Sequence, residues 1–158
     1  MAKSVKKYIE ENEARFLEEW FSLIRIPSVS ADPARKTDMV ACAERWKHLL
    51  LEAGADEARV MPSSGNPLVY AEKRVGFDAP TVLIYGHYDV MPAEPLDLWK
   101  SDPFEPEVRD GHVFARGADD DKGQAMMQVK GFETALNLDL LKCNVKFIFE
   151  GEEEIGSP

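Results

Sequence analysis

Three acidic clusters and one histidine dominate the chemistry this chain can do. Gly86-His87-Tyr88-Asp89-Val90 follows a short apolar run. Arg116-Gly117-Ala118-Asp119-Asp120-Asp121-Lys122-Gly123 precedes an amphipathic stretch. Glu150-Gly151-Glu152-Glu153-Glu154-Ile155-Gly156-Ser157 follows a second apolar run. In extended chain, residues two apart share a face, so His87 and Asp89 point together. One ring nitrogen of His87 can bind a metal while Asp89 fixes the ring through the other. Three consecutive carboxylates repel one another unless cations or a helix dipole compensate, and one carboxylate can bridge two cations. A buried strand ending in acids needs a counter-charge too, which a divalent metal supplies. Each cluster alone also has a plainer reading: a surface or core histidine, a helix cap with solvated acids, a solvated acidic loop. The three together favour a metal centre.

These residues must be held by the elements around them. Residues 5–24 carry apolar side chains at helical spacing, and Pro27 ends that helix. A second helix is expected over 37–53, with Met39, Ala43, Trp46 and Leu50 on one face and Gly54 as its stop. The period then changes. Residues 59–61 and 68–72 read as strands around a turn at 63–67. Residues 81–85 are nearly all apolar, which predicts a central strand covered on both faces. Asp110-Gly111 predicts a hairpin between 107–109 and 112–115. A third helix over 122–138 and a buried strand over 144–149 complete the pattern. Helices alternating with apolar strands imply an α/β layered sheet. The clusters lie past strand ends or before a helix, the edge where such sheets bind ligands.

Size and charge exclude several classes. The 158 residues suit one domain, and 44% hydrophobic content suffices for a packed core. Net charge is −10 and no basic run is long enough to track phosphates, so nucleic acid is not an expected partner. No stretch approaches ~18 apolar residues, so no membrane span is expected. The start, Met1 to Lys7, is charged with no apolar run behind it, which argues against a signal peptide. Cys42 and Cys143 match no ligand spacing and read as buried thiols in a reducing cytoplasm.

From Ile26 onward the chain resembles the dinuclear zinc metallopeptidases that include carnosinase, cytosolic nonspecific dipeptidase, glutamate carboxypeptidase and the acetylornithine and succinyl-diaminopimelate deacylases. The resemblance rests on Ile26-Pro27-Ser28-Val29-Ser30, His87-x-Asp89-Val90, Trp99 with Asp102-Pro103-Phe104, Asp110-Gly111, the Arg-Gly-x-x-Asp-Asp-Lys-Gly motif and the Glu-Glu motif. It implies a zinc-peptidase-like catalytic domain, a three-layer sheet with helices on both faces, of which residues 1–158 would be the N-terminal part. It implies two divalent metal ions, zinc first, with manganese or cobalt able to substitute. His87 is expected to bind one metal, Asp120 to bridge both, and Glu154 to bind the second. Asp89 is expected to orient His87, and Glu153 to act as general base; Asp119 has no expected role. A cis peptide is expected at Asp120–Asp121. Asp121, where the deacylases usually carry an apolar residue, favours a dipeptidase acting on short peptides. A deacylase of N-acyl amino acids remains the enzymatic alternative, and an inactive metal-binding or interaction domain the non-enzymatic one. The family implies further ligands and a lid domain carrying dimer contacts, both outside this chain.

Overall fold

A computed structural model describes residues 4–158; Met1 to Lys3, part of the charged start, lie outside the described residues. The chain forms helix α1 (Val5–Ile24), helix α2 (Lys36–Glu52), strands β1 (Glu57–Met61), β2 (Leu68–Lys73) and β3 (Thr81–His87), the short strands β4 (Glu107–Arg109) and β5 (His112–Phe114), helix α3 (Lys122–Asn137) and strand β6 (Asn144–Glu150). Ser4 caps α1 by accepting from the Lys7 amide at 3.2 Å. Its last turn is finished by a side chain distant in sequence. Lys122 Nζ donates to the carbonyls of Leu23 at 2.9 Å and Ile26 at 2.7 Å, placing a cation at the C-terminal end of the helix, where the dipole favours one.

The main sheet has the order β1-β2-β6-β3. β1 with β2 and β2 with β6 are antiparallel, whereas β3 runs parallel to β6 through the crossover helix α3. Alternation along β6 decides what covers the sheet. Val145, Phe147 and Phe149 are buried, and the residues between them are not. Phe149 meets Trp46 of α2 with ring centroids 4.7 Å apart, and Phe147 meets Phe132 of α3 at 5.3 Å. Both helices therefore pack on one face, and α1 packs against them in turn.

The α/β class and the order of elements follow the sequence. Among the described residues, however, no helix covers the second face of the sheet. β3 is an edge strand rather than a covered central one, with Leu83 59% and Tyr85 58% exposed. An apolar run records that a strand suits burial; it does not say which chain segment does the burying. β4 and β5 form the expected hairpin, with Asp110 and Gly111 both at positive φ. Cys42 is buried and Cys143 only partly so, and both thiols are free.

α1 and α3 are joined by charges as well as by apolar contact. Glu133, 3% exposed, is paired with Arg15 and, at 2.7 Å, with Lys130, which also pairs with Glu19. Burial pushes the Glu133 carboxyl up, but the Arg15 and Lys130 hydrogen bonds outweigh it and hold it below its ordinary value. Removing the carboxylate would leave Lys130 buried beside fewer counter-charges. Glu133→Ala is therefore expected to destabilise the chain by about 3–5 kcal/mol in urea unfolding at neutral pH. Because the folded value is the lower one, this contribution is complete above the ordinary glutamate pKa of about 4.3. It is lost as pH falls through the folded value. The wild-type advantage should accordingly shrink below about pH 4.

Candidate metal centre

β3 and β6 are parallel neighbours, so their C-terminal ends leave the sheet together. The register pairs His87 with Glu150, and the Tyr88 amide donates to the Glu150 carbonyl at 2.8 Å. The first and third clusters are thus adjacent. The second arrives from the start of α3, where Asp120–Asp121 is a cis peptide as expected. His87, Asp120 and Glu154 converge, each offering a ligand atom within 4.8 Å of the others. His87 Nε2 lies 3.1 Å from Asp120 Oδ1 and 3.8 Å from Glu153 Oε2.

The histidine is oriented from behind. Its Nδ1 lies 3.1 Å from the Asp89 carbonyl and 3.2 Å from Asp89 Oδ1. Both neighbours are acceptors, so Nδ1 carries a proton in either charge state of the ring, and Nε2 faces the acids. Asp89 is fully buried. Its carboxylate also accepts from the amides of Glu153 at 3.3 Å and Glu154 at 3.0 Å, and from Ser30 Oγ at 2.6 Å. Burial alone would raise the Asp89 pKa, but hydrogen bonds from His87, Ser30 and the Glu154 amide hold it below its usual value.

Asp121 is a site residue that sequence reasoning left unassigned. Its Oδ2 accepts from the His87 amide at 3.0 Å, tying the second cluster to the first. A side chain on Gly86 would obstruct it: a Cβ there would lie 2.7 Å from Asp121 Oδ2 and 3.3 Å from both Ala125 and Phe149. The Gly-His pair in the motif was the available signal. Asp119, by contrast, lies in an apolar groove between α1 and α3 with Trp20, Met126 and Met127. Trp99 donates through Nε1 to the Ala93 carbonyl at 2.8 Å, and His112 stays on the exposed hairpin.

Electrostatically the centre is over-supplied with negative charge. Burial opposes a charged His87, yet Asp89, Asp121 and Asp120 raise its pKa to about 9. Burial and the Asp120 charge push the Glu154 carboxyl up, and burial pushes Asp121 up. Acids that resist ionisation around an imidazole that holds its proton are the behaviour of a site suited to added positive charge. One nitrogen and several carboxylate oxygens form a donor set that fits zinc or manganese.

The fold and this cluster define an α/β domain with a histidine–carboxylate group able to hold a metal ion at the C-terminal edge of its parallel strands. Comparison with known proteins agrees. The profile of "Peptidase family M20/M25/M40" matches residues 83–158. Cysteinylglycine-S-conjugate dipeptidase of Corynebacterium striatum is 31% identical over 155 residues, covering 98% of this chain and 34% of that protein. The structure of human carnosine dipeptidase 1 superposes with a TM-score of 0.87 at 29% identity, over 97% of this chain and 35% of that one. Succinyl-diaminopimelate desuccinylase of Azoarcus sp. is 48% identical over 63 residues, 40% of this chain and 16% of that protein. By sequence and fold the chain is similar to members of peptidase family M20/M25/M40, and it spans about a third of the length of the dipeptidases it matches.

Gly86→Ala tests the approach of Asp121 to β3. It is expected to cost about 1–3 kcal/mol, from overpacking and a weakened hold on the His87 amide. Gly131, where a Cβ meets nothing within 4 Å, should instead gain about 0.5–1 kcal/mol on substitution by alanine within the helix. Urea denaturation of both variants checks the opposite signs.

Proposed function

We propose that this chain carries the base-bearing half of a dinuclear hydrolytic centre acting on the peptide bond of dipeptides or other short peptides. The observation that carries the reading is the meeting of His87, Asp120 and Glu154 from three separate segments, with Glu153 beside them. His87 and Asp120 would hold one divalent cation, and Asp120 and Glu154 the second. Zinc is the first choice for this donor set, and manganese or cobalt could replace it. Bound there, the cations would lower the pKa of a water and polarise the scissile carbonyl.

The chain's own residues do the rest. Glu153 takes the proton from the attacking water and returns it to the leaving amine. Asp89 keeps the His87 ring in the tautomer that turns Nε2 toward Asp120, and keeps Glu153 and Glu154 in place through their amides. Asp121 holds the His87 backbone. Two observations support dipeptide over N-acyl amino acid as substrate. The dipeptidase relatives match nearly the whole chain, whereas the desuccinylase matches 40% of it. Asp121 also makes a polar contact that an apolar residue there could not make.

Each cation would have only two ligands from the described residues, so this chain alone is not expected to turn over peptides. Purified chain with excess zinc or manganese should bind metal without releasing amino acids from dipeptides. Robust turnover would contradict that ligand count. In any longer polypeptide that completes the centre, Glu153→Gln should reduce kcat on a dipeptide by at least about 10³-fold with metal content retained. Retained turnover in that variant would remove Glu153 from the mechanism.

A further inference from the structure

The segment between α1 and α2 lies outside all three acidic clusters, yet it is fastened to them. Its start is held where Lys122, two residues past Asp120, donates to the Ile26 carbonyl. Its middle runs beside the chain after β3. Ser28 Oγ donates to the Tyr88 carbonyl at 2.6 Å, the Val90 amide donates to the Ser28 carbonyl at 2.9 Å, and Val29 forms a parallel bridge with Val90. Further along, Ser30 directs a hydroxyl onto Asp89.

A carboxylate has about four acceptor positions, and Asp89 fills them with four donors. Oδ1 takes His87 Nδ1 and the Glu153 amide; Oδ2 takes the Glu154 amide and Ser30 Oγ. Three of these donors belong to residues of the centre. Ser30 is the fourth, comes from a different element, and makes the shortest of the four contacts at 2.6 Å. A fully buried carboxylate that loses its shortest donor is left with an under-satisfied oxygen and a weaker lock on its rotation.

We propose that Ser30 is a positioning residue of the metal centre, whose hydroxyl locks the Asp89 carboxylate in the one orientation that serves His87 and the Glu153–Glu154 turn together. The proposal rests on the metal-centre reading above and adds to it a residue from outside the three acidic clusters. Because Asp89 serves both sides of the centre, loss of the hydroxyl should weaken metal binding and also loosen a backbone turn that the metal does not need to be present to form.

Two measurements on the 158-residue chain separate these ideas. The first is amide hydrogen exchange without metal. Ser30→Ala should speed exchange of the Glu154 amide about tenfold, whereas Ser30→Thr, which keeps the hydroxyl, should preserve it. The second is a Co(II) titration followed by visible absorption. Ser30→Ala should raise Kd about 10–100-fold, the scale of removing a group that supports a ligand. Ser30→Thr should restore it. Unchanged exchange and unchanged Kd in Ser30→Ala would overturn the proposal, as would a Ser30→Thr variant whose protection and affinity are both lost. Should Ser30→Ala fail to fold, the Ser30→Thr result decides alone. A wild-type chain that binds no Co(II) would instead overturn the metal-centre reading, and the metal-free exchange would still judge the hold of Ser30 on Asp89.

Discussion

The interaction on which this arrangement depends is the burial of the Asp89 carboxylate at the junction of three chain segments. A carboxylate removed from water is costly unless its oxygens find donors, and nearly any fold would rather neutralise it. Here the end of β3, the turn after β6 and the segment after α1 each supply donors, and together they fill both oxygens. The consequence is geometric. Three stretches far apart in sequence are held around one group, and the donors they present to a cation cannot move independently.

Lys122 applies the same logic with the opposite sign. It is fully buried, and burial pushes its amine pKa down. It answers two carbonyls at and just past the end of α1, each of which also accepts from a backbone amide. A lysine so close to Asp120 thus serves the scaffold, by fixing the first helix against the loop that carries the acids. The centre itself is left with a surplus of carboxylates, which raises the pKa of His87, while burial first and neighbouring acids second raise those of Asp121 and Glu154.

Much of this was legible in the sequence, and the limits have physical causes. Helix spacing located α1, α2 and α3, and the Asp-Gly pair located the hairpin, because those signals are local. The convergence of His87, Asp120 and Glu154 was legible because each motif sits at the end of an element, where parallel strands bring distant residues to one edge. The edge position of β3 was not, since an apolar run looks the same whether or not a neighbouring layer follows. Ser30 and Asp121 were missed for a related reason. Their contacts with Asp89 and the His87 amide cross 59 and 34 positions, and neither side chain has a chemistry that announces them.

Gly86 and His87 show how tightly one strand end can be specified. Successive residues of β3 face opposite sides of the sheet. Ile84 and Gly86 pair with Phe147 and Phe149 on the face covered by helices, while Tyr85 and His87 pair with Ile148 and Glu150 on the other. The helix-side position must be glycine, because Asp121 occupies the space a Cβ would need. The next position must project away from the helices, so that its ring can reach Asp120 with one nitrogen and Asp89 with the other. A register slip of one residue would exchange these faces. It would drive an imidazole into Asp121 and leave the acids of the centre with no nitrogen among them. The parallel pairing of β3 with β6 is therefore as much a determinant of the candidate site as any of its side chains.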